Sequence, residues 1–285
     1  MLKISIISFP GLGIPEFNVN SVAFTLFGRE IAWYGVIITL GMILAVSYVM
    51  FRAKQNGISP DTILDLAIYT ILFGILGARL YYVLTSLDSY DSFWDAFKLW
   101  EGGLGIYGGI IAGLITVYAF CRIKKYNFLL FGDMICPAVM IGQMLGRYGN
   151  FMNAEAYGAE TTLPWRMGIR HTYFGIPYGE TIYVHPTFFY ESLWNFIGVI
   201  LVNILYRKKK FDGQIFYICF AWYGFGRMFI ELLRSDSLYI CSYHAWWTKI
   251  SVIVGFSCFA IFTTLLVINF VKTRKIDSIE ENNTL

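Results

Sequence analysis

The sequence predicts an all-α integral membrane protein whose chain crosses the bilayer about seven times. Three observations carry that prediction. Apolar residues make up 57% of the 285 and charged ones only 14%, against roughly 25% charged in an average globular chain. Too few polar side chains remain to clothe a water-facing surface. Seven stretches are apolar enough for a helix of about 20 residues, the length that crosses the hydrocarbon core. The basic residues between those stretches alternate in density from one connection to the next, as expected of a polytopic chain.

Taken in order, the spans cover about 32–51, 63–85, 104–121, 128–146, 188–206, 214–233 and 249–271. The fourth and sixth are interrupted, by Asp133 and by Arg227 with Glu231. The first begins too late and runs too long for a cleaved signal, and no small-residue cleavage site follows it. Connections after the odd-numbered spans hold Arg52 and Lys54; Arg122, Lys124 and Lys125; Arg207 to Lys210; and Lys272, Arg274 and Lys275, 12 basic residues together. The opposite side is longer yet holds eight, Lys3, Arg29, Lys98, Arg147, Arg166, Arg170, Arg234 and Lys249. Its stretch 86–103 is acidic on balance, with Asp88, Asp91, Asp95 and Glu101. The basic side is therefore expected in the cytoplasm, with an outside N-terminus and a cytoplasmic C-terminus. Trp33, Trp94, Trp100, Trp165, Trp246 and Trp247 fall near the outer span ends, where indoles anchor in the headgroups. Residues 1–271 read as one membrane domain with a small extracytoplasmic cap at about 147–187, and 272–285 as a cytoplasmic tail.

Ionisable groups inside spans are costly and mark function. With this orientation they gather in one outer layer. Tyr34 opens the first span, Arg79 and Tyr82 end the second, and Tyr107 begins the third. Arg147 and Asn150 close the fourth, His185, Tyr190 and Glu191 open the fifth, and Arg227 and Glu231 close the sixth. Tyr223, Arg227 and Glu231 are four apart and stripe one helix face. Arg227 and Glu231 alone read equally well as a structural ion pair. Two arginines beside amides and glycines also suit the oxygens of a phosphate. Glu155, Glu191 and Glu231 are candidates to orient those arginines or to move protons.

Other chemistries lack their signatures. His171, His185 and His244 have no ligand partners at metal-binding spacing, and no nucleophile elbow or phosphate loop is present. Cys121, Cys136, Cys219, Cys241 and Cys258 read as small hydrophobes. No metal, cofactor or nucleic-acid partner is expected. A weak echo of Asp65, Gly74 and Arg79 in Asp133, Gly142 and Arg147 keeps open a multi-span binding or transport protein for an anionic lipid.

The stretch from Gly146 through Arg147, Gly149, Asn150, Phe151, Asn153 and Glu155 to Gly158 resembles the G-R-x-G-N-F-x-N-x-E-x-x-G motif of the bacterial prolipoprotein diacylglyceryl transferases. The resemblance extends to Trp33-Tyr34-Gly35, Gly77-Ala78-Arg79-Leu80, Gly102-Gly103-Leu104 with Gly108-Gly109, His185-Pro186-Thr187 with Tyr190-Glu191, and Tyr223-Gly224 with Arg227 and Glu231 through Arg234. It runs in the same order from about residue 30 to 237.

The resemblance implies a bacterial plasma- or inner-membrane enzyme with its site on the extracytoplasmic side. Such an enzyme takes the diacylglyceryl group of phosphatidylglycerol and joins it by a thioether to the lipobox cysteine of a prolipoprotein, releasing glycerol phosphate. The resemblance also implies that Arg147 and Arg227 contact the phospholipid, supported by Asn150, Glu155, Gly158, Tyr34 and Tyr223; Asn153, Arg79 and Glu191 are further candidate substrate-binding residues. In many members a histidine, a candidate base, stands where this chain has Tyr107. A phenol, which ionises at about pH 10 in water, is a weaker proton acceptor at neutral pH, so His185 is the alternative base.

Overall fold

The computed structural model describes residues 4–87, 94, 102–173, 176–235, 237, 239–240 and 245–283. The expected acidic residues Asp88, Asp91, Asp95 and Glu101, together with Lys3, Lys98, Trp100, Cys241 and His244, lie outside the described residues. Among the described residues seven α-helices carry the fold: α1 Trp33–Gln55, α2 Pro60–Thr85, α3 Ile106–Lys124, α4 Phe128–Met152, α5 Thr187–Tyr206, α6 Gln214–Leu232 and α7 Ile250–Asn283. Each contains a segment long and apolar enough to cross a membrane, which bears out the seven-span reading. Their large side chains, such as Leu76, Leu80, Ile110 and Ile115, stand exposed on the protein surface. A helix apolar on its outer faces is stable there only against lipid.

Strands accompany the helices, a feature that an all-helical expectation does not contain. β1 Ile4–Phe9, β2 Ile14–Asn20, β5 Met167–Tyr173, β6 Ile176–Pro177 and β7 Ile182–Val184 form one antiparallel sheet, with β1 between β2 and β5 and with β6 and β7 also paired to β5. β3 Val22–Leu26 and β4 Arg29–Ala32 form a separate hairpin that leads directly into α1. In β1 the burial pattern follows the period-2 alternation of a strand at Ile4–Ile7. So short an alternating segment carries no apolar run of span length.

The chain divides into two compact units, residues 46–134 and residues 1–45 with 135–285. In the first, Ser59 caps α2, its Oγ accepting from the amide of Asp61 at 3.3 Å, with Pro60 at the first helical position. α2 and α3 cross closely at Gly77 and Gly108: a Cβ on Gly77 would lie 2.7 Å from the Gly108 carbonyl oxygen. Arg79, buried at the end of α2, donates through Nη1 to the carbonyls of Gly102 at 2.5 Å and Gly103 at 3.2 Å. The amide of Gly105 reaches the Ala78 carbonyl at 2.9 Å. These bonds fix the strand of chain that leads into α3 and Tyr107.

In the second unit the sheet covers the C-terminal end of α4 and the start of α5. Ile7, Val19, Met167, Ile169 and Val184 from the strands share a buried cluster with Ala154 and Phe188. α5 and α6 are clasped by two tryptophans. The Trp194 and Trp222 rings stack 4.1 Å apart, and each indole Nε1 donates to the other residue's carbonyl at 3.1 Å. Each ring needs a glycine on the facing helix. A Cβ on Gly198 would sit 2.5 Å from Trp222 Nε1, and one on Gly226 would overlap Trp194. α6 and α7 meet as closely at Gly224 and Gly255, where a Cβ on Gly224 would lie 2.5 Å from the Gly255 carbonyl oxygen.

Candidate active site

The polar residues of the second unit converge where α4 ends, α5 begins and α6 ends. Glu191, in the first turns of α5, is buried and is the hub. Its Oε2 lies 2.5 Å from Arg147 Nη2 and 3.2 Å from Arg227 Nη1, and its Oε1 lies 3.5 Å from Arg234 Nη1. Glu231, only 2% exposed, lies 2.6 Å from Arg227 Nη2 through Oε2, held by proximity rather than by an aligned hydrogen bond. The same Oε2 is 4.0 Å from Arg234 Nε. Lys249, also buried, donates to the carbonyls of Glu231 at 2.9 Å and Arg234 at 3.1 Å, tying the end of α6 to the start of α7.

The turn after α4 supplies the neutral half of the cluster. Arg147 Nη1 donates to Asn150 Oδ1 at 3.3 Å, and the amides of Asn150 and Asn153 donate to Glu155 Oε1 at 3.1 and 3.2 Å. Glu155 is exposed and stands between two alanines in the left-handed region, Ala154 at φ 50° and Ala156 at φ 55°. That conformation is strained for residues with a Cβ. It is held by local bonds: the Glu155 amide reaches the Asn150 carbonyl at 3.1 Å, and Thr187 Oγ1 donates to the Ala156 carbonyl at 2.7 Å. The result turns the Glu155 carboxylate back onto the two asparagines.

Gly158 sits where nothing larger fits. Its amide donates to the His185 carbonyl at 3.0 Å, it bridges to Arg234, and a Cβ there would lie 2.6 Å from His185 Cβ and 2.7 Å from the Leu233 carbonyl oxygen. Tyr34 lies against Gly149, where a Cβ would approach Tyr34 Cδ2 to 2.7 Å. Tyr223, one turn before Arg227, lines a recess with Glu191, Trp194, Asn195, Arg227 and Ile230.

His185 is engaged from the side. Its Nδ1 lies 3.3 Å from Tyr190 Oη, which in turn accepts from Trp165 Nε1 at 2.7 Å. Both tautomers satisfy the two contacts: the phenol either donates to an unprotonated Nδ1 or accepts from Nδ1–H as well as from Trp165, which leaves Nε2 free to accept. Burial pushes the His185 pKa below the usual histidine value, which keeps the ring neutral.

Of the residues singled out in the sequence, Arg147, Asn150, Asn153, Glu155, Glu191, Arg227 and Glu231 thus form one bonded network, with Gly158 and His185 joined through the backbone. Arg79 and Tyr107 belong to the other unit, where Tyr107 is half-exposed and its ring lies 6.1 Å from that of Tyr81. Sequence reasoning does not pick out Arg234, Asn195 or Lys249 as site residues. A signal for Arg234 exists: it continues the Tyr223, Arg227, Glu231 stripe at a spacing of three.

Chemically, the cluster offers guanidinium forks held in place by carboxylates within a membrane-spanning bundle, an arrangement suited to an anionic headgroup. The chain is thus a multi-pass membrane protein with a built arginine cluster at the ends of its spans. Comparison with known proteins makes the class specific. Residues 21–268 match the family model described as prolipoprotein diacylglyceryl transferase. The chain is 45% identical over 224 residues to the phosphatidylglycerol–prolipoprotein diacylglyceryl transferase of Finegoldia magna, covering 78% of this chain and 86% of that one. It is 41% identical over 223 residues to transferase 1 of Clostridium perfringens, covering 78% and 85%. With the Thermotoga maritima transferase the identity is 37% over 251 residues, 86% of each chain. The chain belongs to the prolipoprotein diacylglyceryl transferase family.

Proposed function

We propose that this chain transfers the diacylglyceryl group of phosphatidylglycerol to the lipobox cysteine of a prolipoprotein, with Arg147 and Arg227 on the lipid phosphate. The observation that carries the reading is the guanidinium pair sharing Glu191 at 2.5 and 3.2 Å, in a chain whose named relatives act on that lipid and that protein class.

The thiol sulfur attacks the glycerol carbon that bears the phosphate. A carbon–sulfur bond forms, the carbon–oxygen bond breaks, and glycerol phosphate departs with the bonding electrons. The thiol proton passes to a base, because the thiolate is the nucleophile. Charge grows on the departing phosphate, so fixed guanidiniums stabilise the transition state more than the ground state. Glu191 and Glu231 hold those forks, while Asn150, Asn153 and Glu155 brace Arg147 from the α4 side. Gly158 permits the close approach of the turn to α5, Tyr223 lines the recess with Arg227, and Tyr34 packs on Gly149 two residues from Arg147. Arg79 sets the chain leading to Tyr107. Two side chains compete for the proton, Tyr107 and His185. With Nδ1–H donated to Tyr190 Oη, His185 keeps Nε2 to accept the proton, and Tyr107 is the alternative base.

The enzyme works in the bacterial plasma or inner membrane with the cluster facing outward. What supports this is the basic run Arg207 to Lys210 at the far end of α5, the helix whose first turns carry Glu191. The substrates arrive from the bilayer, and no metal takes part. The test is mass spectrometry of a lipobox peptide incubated with the purified protein in phosphatidylglycerol vesicles. A gain of one diacylglyceryl group, lost in Arg147→Ala, is expected. Unmodified peptide across lipid compositions overturns the reading in favour of lipid binding or transport.

A further inference from the structure

The recess beside the arginine cluster contains a polar atom that the proposed mechanism does not use. Asn195 lies one turn after Glu191 on α5 and is only 5% exposed. Its Nδ2 donates to the Glu191 carbonyl at 3.0 Å, which fixes the amide orientation, since a flipped amide would set oxygen against oxygen. The other end, Oδ1, is fully buried and has no hydrogen-bond partner among the described residues. A buried acceptor left without a donor costs about 1–3 kcal/mol, so such atoms are rare and call for a reason.

The surroundings narrow what the missing donor is. The recess is walled by Trp194 and Ile230 and edged by Glu191, Tyr223 and Arg227. The stacked Trp194 and Trp222 hold that wall rigid. A ligand seated there has an anionic group at Arg227 and, beside it, a neutral hydrogen-bond donor facing Asn195. Arg147, Arg227 and Arg234 outnumber the carboxylates Glu191 and Glu231 that they pair with, so the cluster is net positive and disfavours an ammonium there. A hydroxyl carried next to a phosphate satisfies every requirement.

We infer that Asn195 Oδ1 accepts a hydroxyl of the glycerol headgroup that leaves with the phosphate, making the Asn195 recess the subsite that selects a polyol-bearing phospholipid. The inference rests on the phosphate assignment to Arg147 and Arg227 and adds the discriminating contact to it. A site built to accept a substrate hydroxyl rejects the analogue lacking it far more strongly than an apolar pocket rejects an extra group. Asn195 is here a specificity-determining residue that touches the donor lipid.

The experiment compares two donor lipids, phosphatidylglycerol and phosphatidylethanol, whose headgroup has no hydroxyl, in transfer to a lipobox peptide. The wild-type protein is expected to prefer phosphatidylglycerol by at least tenfold in kcat/KM. In Asn195→Leu, similar in volume but without the acceptor, activity on phosphatidylglycerol falls about tenfold or more, while activity on phosphatidylethanol changes less than threefold, so the preference collapses. If Asn195→Leu yields no folded protein, Asn195→Ala removes the same acceptor and is read in the same way. An equal fractional loss on both lipids, or an unchanged preference, overturns the subsite. A wild-type protein that modifies the peptide with neither lipid overturns instead the transferase reading on which the subsite rests.

Discussion

Replacing Glu191 with glutamine removes one charge and almost no volume, yet it strikes the point where three guanidiniums meet. Glu191 is shared by Arg147, Arg227 and Arg234 at 2.5, 3.2 and 3.5 Å and is itself buried. Among the described residues Arg147 pairs with no second carboxylate: its other contact is the neutral amide of Asn150. Removing one partner of a buried ion pair costs about 3–5 kcal/mol, because the remaining charges stay desolvated and unpaired. Here the uncompensated guanidiniums also repel one another, since Arg147 feels the charge of both Arg227 and Arg234. If about 3 kcal/mol of that loss falls on the geometry needed in the transition state, kcat drops about 100-fold. The ground-state effect has the opposite sign, since extra positive charge attracts the lipid phosphate. KM for phosphatidylglycerol in Glu191→Gln is therefore expected to stay level or fall. The assay is steady-state transfer to a lipobox peptide over a range of phosphatidylglycerol mole fractions, with thermal unfolding in detergent as the check on folding. A kcat within threefold of wild type, or a rise in KM with kcat unchanged, refutes the account of Glu191 as the hub that aims the arginines. Glu155→Gln is the control: that carboxylate is exposed and bonds to the amides of Asn150 and Asn153, so its kcat should fall less than tenfold.

Three further outcomes rest on particular contacts. Gly158→Ala puts a methyl group 2.6 Å from His185 Cβ and 2.7 Å from the Leu233 carbonyl oxygen; an overpacking cost of about 1–3 kcal/mol should appear as a lower melting temperature together with reduced transfer. Gly226→Ala drives Trp194 off its stack on Trp222, so near-ultraviolet circular dichroism should lose the signal of the paired indoles and the protein should melt earlier by a comparable energy. His185 is held below the ordinary histidine pKa by burial; the unfolded chain then binds more protons than the folded one as pH falls through about 6.5, and the stability that the neutral ring contributes is lost on the acid side. Melting temperatures measured from pH 7.5 to 5 should fall less steeply in His185→Gln, and parallel curves would refute the assignment.

The seven helices were legible because apolar length is a compositional signal that tertiary structure hardly alters. The sheet was not, since β1 and β2 together span 13 residues with mixed polarity, and the pairing of β1 with β5 joins segments more than 150 positions apart. Arg147, Arg227, Glu191 and Glu231 stood out because charges are rare in spans. Asn195 did not, being neutral and flanked by Trp194 and Phe196; its importance lies in an unpaired oxygen that only the folded chain reveals. Arg234 lies just past α6, inside the stretch that resembles the family, but its share of Glu191 depends on the packing of α5 against α6. The sequence could set Arg227 and Glu231 on one face, but not that Glu191 from another helix would take a share of the same guanidinium. Ion pairs between helices depend on rotation about each axis, which the apolar faces of a lipid-exposed helix leave almost undetermined.

The sharing of Glu191 also bears on how a phosphate could enter so crowded a cluster. Glu191 is the one carboxylate on Arg147 among the described residues and is shared with Arg227 and Arg234, so it does not neutralise Arg147 fully, and Arg147 commits half its fork to the neutral Asn150. On the proposed reading, the lipid phosphate does not need to break a satisfied ion pair. It takes up guanidinium capacity that the carboxylates leave over, and Glu191 and Glu231 remain in place to hold the forks. Reorganisation on binding is then small, which is the condition under which fixed charges act most strongly on a developing anion. A design with one carboxylate per arginine would be more stable empty and a worse catalyst, because each phosphate contact would have to displace a partner inside the membrane. The second carboxylate, Glu231, is the more deeply buried of the two and pairs chiefly along its own helix. It anchors Arg227 from behind, and the face of the guanidinium toward the Asn195 recess is left for the ligand.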